Sequence, residues 1–290
     1  MRRVGSPLDE LVDLLDLEQI EVNIFRGNSP DENRQRVFGG QVAGQALVAA
    51  GRTVPEERHV HSLHAYFLRP GDPTVPIVYE VDRIRDGRSF TTRRVVAVQH
   101  GKAIFNLSAS FQIVEPGLEH QGVMPSAPDP QSLPTMAERL AAAGVGDDAF
   151  WSRPRPIDVR HVEAPSWLDP SSPVRAQQMV WMRADGSLGE DPLKHVCVMT
   201  YASDMTLLDS LLMAQGLSWR SNRIVSVASL DHAMWFHRPF RADEWLLYVQ
   251  ESPASGGARG LARGDLWTQD GRHVVSVVQE GLLRVANAPQ

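Results

Sequence analysis

The segment His61-Ser-Leu-His-Ala-Tyr-Phe-Leu-Arg-Pro70 recurs later in the chain as Leu230-Asp-His-Ala-Met-Trp-Phe-His-Arg-Pro239, at an offset of 169 residues. Shorter matches at similar offsets extend the likeness: Ile77-Val-Tyr79 with Leu246-Leu-Tyr248, Gln99-His-Gly101 with Gln269-Asp-Gly271, and Phe38-Gly-Gly-Gln41 with Tyr201-Ala-Ser-Asp204. Two copies of one unit indicate a tandem pair of globular units, because a solenoid needs three or more repeats to bury a core.

The two copies differ at positions where a polar side chain could take part in chemistry. Three differences, first copy to second, are Ser62 to Asp231, Ala109 to Gln279 and Gln41 to Asp204. A methyl group cannot hold a water molecule, and an amide cannot take up a proton as a carboxylate can. The pattern predicts one active centre per chain, supplied by the second copy. The first copy keeps its packing role and is expected to form a wall of the site near Gly39 and Gly40.

The composition is that of a globular protein with a substantial core. The 290 residues are 42% hydrophobic and 22% charged, a length that suits two domains. The net charge of −6 argues against nucleic acid as a main partner, because binding to phosphates needs a basic surface.

Several features favour the cytoplasm as the location of the chain. The single cysteine, Cys197, excludes an internal disulfide and a thiolate zinc cluster, and it suits a reducing compartment. The N-terminus lacks the apolar run of a signal peptide, and no apolar run approaches the 18 residues typical of a membrane span. The C-terminus carries no peroxisomal signal of the Ser-Lys-Leu type.

Apolar periodicity and turn residues predict the same order of elements in both copies. A capping box at Ser6-Pro-Leu-Asp9 predicts a first helix, and alternation over Gln19 to Phe25 predicts a strand. The other elements expected in the first copy are a helix over Gly40–Val54 and strands over Arg58–Leu68, Ile77–Ile84, Thr91–Val98 and Ala103–Val114. Those expected in the second copy are a strand over Ala176–Arg183, a helix over Leu193–Gln215, and strands over Val225–Phe236, Trp245–Glu251, Gly260–Thr268 and Val274–Leu283.

One helix followed by hairpin-connected strands predicts an α+β unit, in which an antiparallel sheet packs on the helix. The small residues of Gly40–Val54 are expected to let that sheet approach closely. Six prolines between Met124 and Pro156 predict a long connection, with one short helix at Met136–Ala143. We therefore expect units over residues 1–123 and 159–290, joined by a proline-rich linker over 124–158.

Several motifs together resemble those of the acyl-CoA thioesterase II family. They are Asp231-His-Ala-Met-Trp-Phe-His-Arg-Pro239, Asp270-Gly271, Val278-Gln-Glu-Gly281, Tyr201-Ala-Ser-Asp204 and Phe38-Gly-Gly-Gln41. The resemblance runs from about Leu8 to Arg284 and is weakest in the linker. It implies a double hotdog fold, with each long helix wrapped by a curved antiparallel sheet. It also implies hydrolysis of fatty acyl-CoA to a free acid and CoA, a role in fatty acid and lipid metabolism, and a homo-oligomer (dimer or tetramer).

The family's Asp, hydroxyl residue and Gln match Asp204, Ser229 and Gln279 here. The hydroxyl member is often Thr, so Ser229 keeps the hydroxyl and loses a methyl group. A buried carboxylate can act as a general base, while a hydroxyl and an amide can orient the same water molecule. Backbone N–H groups at the start of a helix could hold the oxyanion. This scheme needs no metal and no cofactor, since CoA is part of the substrate.

Each of these residues also has a simpler interpretation. Asp204 could cap a helix, Ser229 could be an ordinary polar strand residue, and Gln279 could face solvent. A Ser229–His232–Asp231 triad is disfavoured, because adjacent strand residues point to opposite faces and no G-x-S-x-G motif occurs.

Two further clusters were weighed against simpler alternatives. His59, His61 and His64 are expected to be satisfied or surface histidines rather than metal ligands. The arginines at positions 83, 85, 88, 93 and 94 are expected to form a solvated strand face rather than a site for CoA phosphates.

Two other functions stay open on the sequence. One is another hotdog enzyme acting on acyl-CoA, such as an enoyl-CoA hydratase, which would need an Asp/His pair on opposing elements. The other is an acyl-CoA binding module without catalysis.

Overall fold

A computed structural model of the chain describes residues 5–30, 35–145, 154–168 and 174–286. The helices are α1 (Pro7–Leu15), α2 (Gly39–Gly51), α3 (Met136–Ala142), α4 (Pro192–Ser203) and α5 (Leu207–Ala214). The strands of the first half are β1 (Glu18–Glu21), β2 (Ile24–Gly27), β3 (Arg58–Phe67), β4 (Ile77–Asp86), β5 (Phe90–Gln99) and β6 (Lys102–Ile113). Those of the second half are β7 (Ile157–His161), β8 (Gln177–Ala184), β9 (Ile224–Ser229), β10 (Asp231–Phe236), β11 (Leu246–Gly256), β12 (Arg259–Thr268) and β13 (His273–Val285).

All strand pairs are antiparallel, and they form one continuous sheet. Its order is β1-β2-β4-β5-β6-β3-β10-β13-β12-β11-β8-β7, with β9 on β13 beside β10. Outward from the central β3–β10 pair, the two halves run through the same sequence of strands. Within that pair His64 lies opposite Ala233, which is its own counterpart at the repeat offset. The pseudo-twofold axis predicted by the duplication therefore passes through the β3–β10 pair.

The helices cover one face of the sheet and bury its apolar side chains. Helix α2 packs on the strands of the first half, and α5 packs on β8, β11, β12 and β13. The glycines of α2 face α4, because a Cβ on Gly40 would lie 2.3 Å from the carbonyl oxygen of Tyr201. Gly44, one of the small residues expected to admit the sheet, lies against helices instead, because a Cβ there would lie 3.1 Å from Leu15 of α1 and 3.2 Å from the Cys197 carbonyl oxygen of α4.

The sheet approaches α5 through glycines of its own strands. A Cβ on Gly260 would lie 2.0 Å from Leu211 Cδ1, and one on Gly281 would lie 2.6 Å from Leu208 Cδ2. Strand glycines mark places where another element comes close, and these two let α5 sit directly on β12 and β13.

Three predicted elements are divided in the structure. The strand expected over Gln19 to Phe25 is a hairpin of β1 and β2, because Asn23 adopts a left-handed φ of 66°. The single helix expected over Leu193–Gln215 is α4 followed by α5. The strand expected over Val225–Phe236 is β9 followed by β10. Each of the last two breaks falls at the site described below.

The remaining predicted elements lie within a few residues of their expected bounds. The capping box at Ser6 is present, with its hydroxyl accepting the Asp9 N–H and the Asp9 carboxylate accepting the Ser6 N–H. Helix α3 lies within the predicted Met136–Ala143 segment, whereas β7 was not predicted.

The connection between the halves covers the outer face of the second half of the sheet. Residues Met124, Ala127 and Leu133 pack on a cluster formed by Trp181, Trp245, Trp267 and Leu247. The indole N–H of Trp181 donates to the Pro128 carbonyl at 2.9 Å. The linker therefore packs against this tryptophan cluster, a role that its proline content alone does not predict.

The segment Pro192–Ala214, which spans α4 and α5, is long and apolar enough to cross a membrane. Because 72% of its most apolar window is buried inside the fold, the segment is placed as core helix.

Candidate active site

Asp204 occupies the break between α4 and α5. It is the C-cap residue of α4, and the following N–H of Met205 returns to the Ala202 carbonyl at 3.0 Å. The carboxylate accepts hydrogen bonds from Ser229 Oγ at 3.2 Å and from Gln279 Nε2 at 2.9 Å, both on Oδ1. The backbone N–H of Gly40, in the first turn of α2, also donates to it. Asp204 is therefore not an N-cap, and it joins both halves of the chain.

Ser229 is directed into the site by a β-bulge. It pairs with Gly281 of β13, whereas Ala233 pairs with Val278, so the register shifts by one residue between β9 and β10. The first copy has the same bulge, between Val60 and Ser62. Bulges re-aim side chains next to functional sites, and this one brings the Ser229 hydroxyl onto Asp204 and Gln279.

Gln279 lies on β13 and is fully buried, so the solvent-facing interpretation of this residue is wrong. Its Nε2 donates to Asp204 Oδ1 and to Ser229 Oγ. Its Oε1 lies 2.8 Å from Nδ1 of His232, another buried residue. On the far side of the ring, His232 Nε2 lies 2.9 Å from Ser203 Oγ. The structure therefore brings together all three predicted residues and adds His232, which the sequence had suggested only as part of a disfavoured triad.

Burial changes the ionisation of the two titratable groups in this network. Removal from water raises the pKa of Asp204, although its hydrogen bonds and the nearby imidazole oppose the change. Removal from water lowers the pKa of His232, so the ring is neutral near neutral pH. The carboxylate is thereby a better base than an exposed aspartate.

A cavity of about 460 Å³ opens onto this cluster. Asp204 and Ser229 line it, whereas Gln279 and His232 stand behind them. Its apolar lining comes from both halves and includes Val37, Phe38, Val42, Phe67, Ile104, Phe105, Met205 and Leu208. Gly39 completes the wall from the first half, since a Cβ there would lie 2.7 Å from Asp204 Oδ2.

Two arginines add positive charge to the lining of this cavity. Arg36 and Arg69 line it, and the guanidinium of Arg36 donates to the Val227 carbonyl at 3.1 Å. A neighbouring open groove of about 410 Å³ shares Arg36 and Trp219 with the cavity. The indole N–H of Trp219 donates to Asp209 on α5 at 2.5 Å, which fixes the ring between the two spaces.

Comparison with known proteins agrees with this geometry. Two family models match: the acyl-CoA thioesterase model over residues 164–282, and the model of the acyl-CoA thioesterase N-terminal domain over 29–112. Acyl-coenzyme A thioesterase 8 of Rattus norvegicus is 45% identical over 287 residues, covering 93% of this chain and 88% of the relative. The chain belongs to the acyl-CoA thioesterase family.

Solved structures support both the family and the fold. The acyl-CoA thioesterase II TesB2 of Mycobacterium marinum is similar with a TM-score of 0.79 and 47% identity, covering 97% of this chain and 99% of that one. A protein of Alicyclobacillus acidocaldarius described as having the hot dog fold has a TM-score of 0.77 at 20% identity, covering 97% and 99% of the two chains. The α+β double hotdog implied by the sequence is confirmed. So is the family, whose members are thioester hydrolases.

The competing constellations are not assembled in this thioesterase-family chain. Asp231 accepts the N–H of Glu280 at 2.6 Å, so it does not orient His232 and no Ser229–His232–Asp231 triad forms. His61 bonds Ser110 at 2.8 Å and His64 packs edge-on against Trp235, contacts that satisfy each ring separately.

The arginine group does not approach the cavity. Four of its members are exposed, as expected of a solvated face: those at positions 83, 85 and 94 on strands β4 and β5, and the one at position 88 in the turn between them. Arg93 is the exception, because its buried guanidinium bonds Asp86 at 2.7 Å and Thr53 at 2.9 Å.

Proposed function

We propose that the chain hydrolyses fatty acyl-CoA thioesters to free acid and CoA, with a water molecule activated by Asp204 and oriented by Ser229 and Gln279. One observation carries the assignment. Asp204, with its pKa raised by burial, shares hydrogen bonds with Ser229 and Gln279 at the wall of an apolar cavity. A general base must reach the proton that it removes, and Asp204 lines the space where water and substrate would meet.

The reaction then needs two proton transfers. Asp204 takes a proton from the water as its oxygen bonds to the thioester carbonyl carbon, giving a tetrahedral oxyanion. The backbone N–H of Gly39, the first residue of α2, has no intrahelical partner and can stabilise that oxyanion, whereas the next N–H, of Gly40, donates to Asp204. Collapse of the intermediate breaks the C–S bond, and the CoA sulfur receives the proton from Asp204. The products are a carboxylic acid and the free thiol.

The lining of the cavity suits the two ends of such a substrate. Phe38, Val42, Phe67 and Leu208 offer apolar contacts to an acyl chain of medium to long length. Arg36 and Arg69 offer positive charge to the phosphates of CoA at the other end. The acyl chain would therefore lie between the halves, beside the helix–sheet seam.

The test is the release of thiol from palmitoyl-CoA by the wild type and by Asp204→Asn. The substitution keeps the size and removes the base, so kcat should fall by about 10²-fold or more, the usual contribution of a general base. Asp231→Asn is the matched control, since that carboxylate bonds a backbone N–H outside the cavity. Undiminished turnover by Asp204→Asn would contradict the role of Asp204, and no thiol release by the wild type would leave acyl-CoA binding as the function.

The proximity of Asp204 and His232 makes an enoyl-CoA hydratase an alternative function. Gln279 separates the two groups, and His232 is buried behind the cavity with both ring nitrogens engaged. A second acid–base group would therefore be missing from the cavity side. Crotonyl-CoA should keep its enoyl absorbance in the presence of the wild type.

Four further expectations belong to this proposal. They are a cytoplasmic location with a role in fatty acid metabolism, catalysis without metal or cofactor, assembly into a dimer or tetramer, and units over residues 1–123 and 159–290 joined by 124–158. Light scattering on the purified chain measures the assembly, and activity that persists after dialysis against a chelator tests the second expectation.

A further inference from the structure

His232 occupies a buried position that the first copy fills with an apolar residue. At the repeat offset its counterpart is Leu63, and the counterpart of Gln279 is Ala109. Leu63 and Ala109 face each other across β3 and β6 and are both buried. The second copy has a hydrogen-bonded His–Gln pair at the place of this apolar pair. Burying polar groups costs free energy that an apolar pair does not cost, so the His–Gln pair needs a reason other than packing.

The orientation of the Gln279 amide supplies that reason. An amide presents an oxygen on one side and an NH2 group on the other, and only the NH2 group can donate to the carboxylate of Asp204. The amide oxygen must then face His232, so the imidazole Nδ1 must carry a hydrogen. On the other side of the ring, Nε2 lies 2.9 Å from Ser203 Oγ, a hydroxyl that also donates to the Thr200 carbonyl at 2.9 Å. The Asp204 carboxylate therefore fixes the Gln279 amide, and the amide oxygen fixes the hydrogen on Nδ1.

We propose that His232 is a positioning residue of the thioesterase reaction, which holds the Gln279 amide with its NH2 group toward Asp204 and Ser229. The inference rests on the proposed function, since it assumes that Gln279 orients the attacking water. A flipped amide would place its oxygen against the carboxylate, where it would repel the charged base and could not donate to it. In the neutral ring that burial favours, a hydrogen on Nδ1 donates to the Gln279 amide oxygen.

Three substitutions of His232 separate positioning from packing. Asn carries an N–H near the place of Nδ1, Gln carries one near the place of Nε2, and Leu is the residue of the first copy. We expect His232→Asn to retain most of kcat, and both His232→Gln and His232→Leu to lose about 10- to 100-fold, as for other groups that orient active-site residues. KM for palmitoyl-CoA should stay within about twofold, because His232 does not line the cavity.

A double variant controls for folding and for the role of Gln279. His232→Leu with Gln279→Ala recreates the Leu63–Ala109 pair, which packs in the first copy. It should be no slower than Gln279→Ala alone, because His232 acts only through Gln279. If His232→Gln matches the wild type, or if His232→Leu stays within about twofold of it while Gln279→Ala is impaired, the positioning role is wrong. If Gln279→Ala itself is fully active, the proposed function of Gln279 fails instead.

The tautomer can be measured on the wild-type protein without any loss of stability. Nitrogen-15 NMR of the labelled histidines, with the His232 signal assigned from the spectrum of His232→Asn, should show the neutral ring protonated at Nδ1. A neutral ring protonated at Nε2 would overturn the proposal, whatever the kinetics of the variants.

Discussion

At the scale of single residues, the site places the Asp204 carboxylate and the Ser229 hydroxyl on the cavity wall and buries Gln279 and His232 behind them. Asp204 gives Oδ1 to both Ser229 and Gln279, while Oδ2 faces Gly39. Because the amide and hydroxyl hydrogens compensate only part of the lost hydration, the charged form of Asp204 is unfavourable in the folded protein. The burial that makes Asp204 a stronger base should therefore also lower the free energy of unfolding.

This trade-off predicts that Asp204→Asn is more stable than the wild type at alkaline pH. The pKa of Asp204 is higher folded than unfolded, so the folded state binds the proton more tightly. Its contribution to stability is therefore present at low pH and is lost as pH rises from the unfolded pKa through the folded one. Asn is neutral throughout, so the excess in Tm over the wild type should be larger at about pH 8 than at about pH 4. If the difference in Tm between Asp204→Asn and the wild type does not vary with pH, ionisation of Asp204 does not destabilise the folded protein.

Ser229 provides a second prediction at this scale. Ser229→Ala leaves Gln279 Nε2 without one of its acceptors, and should raise the activation free energy by about 1–3 kcal/mol. Ser229→Thr keeps the hydroxyl and suits a strand, so it should fold and remain active. Steady-state kinetics with palmitoyl-CoA measures both. Equal kcat for Ser229→Ala and the wild type would show that the hydroxyl does not take part.

At the scale of elements, two interruptions of regular structure place the catalytic groups. The break between α4 and α5 presents Asp204, and the bulge between β9 and β10 presents Ser229. Periodicity predicts the helix and the strand but not the interruptions, because the apolar pattern continues across both. The hydrogen bonds that stabilise each interruption come from strands that are distant in the sequence. The residues of one segment alone therefore do not predict them.

The close approach of α2 to α4 gives a prediction at this scale. An added Cβ at Gly40 would meet the backbone oxygen of Tyr201, which cannot rotate away. Gly40→Ala should therefore destabilise the fold by about 1–3 kcal/mol. It should also lower kcat, because the Gly40 N–H donates to Asp204.

Gly44→Ala is the matched control for Gly40→Ala on the same helix. Its Cβ would lie 3.1 Å from the Leu15 side chain and 3.2 Å from the Cys197 oxygen, so small shifts suffice. The gain of up to about 1 kcal/mol in helix propensity offsets that strain. Urea unfolding should rank Gly40→Ala well below Gly44→Ala. The reverse ranking would show that the helices can separate at Gly40 without loss.

At the scale of the whole molecule, the internal repeat predicts two similar units related by a pseudo-twofold axis, whereas the double hotdog follows from the resemblance of the motifs. The structure places the axis at the β3–β10 pair, where His64 lies opposite its counterpart Ala233. The resemblance of the motifs also pointed to Asp204, Ser229 and Gln279 before their contacts were known. His232 could have been found by the same comparison that found Gln279, since Leu63 marks its place in the first copy. The packing of the linker on the second half of the sheet could not have been found in this way, because prolines predict a connection but not its packing partner.

The duplication also predicts that each chain has one active centre. In the first copy the positions of Asp204, Ser229, His232 and Gln279 are held by Gln41, Val60, Leu63 and Ala109. The Gln41 amide is engaged with the Asn28 carbonyl and the Ser29 hydroxyl, so the first copy has no base at that position. Yet its Gly39 and Gly40 form part of the site of the second copy.

Calorimetric titration of the full chain with a thioether analogue of palmitoyl-CoA, which cannot be hydrolysed, should therefore saturate at one ligand per chain. Asp204→Asn separates binding from turnover, because it should keep that stoichiometry while losing activity. Two ligands per chain, together with about half of the wild-type kcat in Asp204→Asn, would show that the first copy is a second active centre. The expected pair of results would instead show that the first half has no active centre of its own and contributes the start of its helix as a wall of the site in the second half.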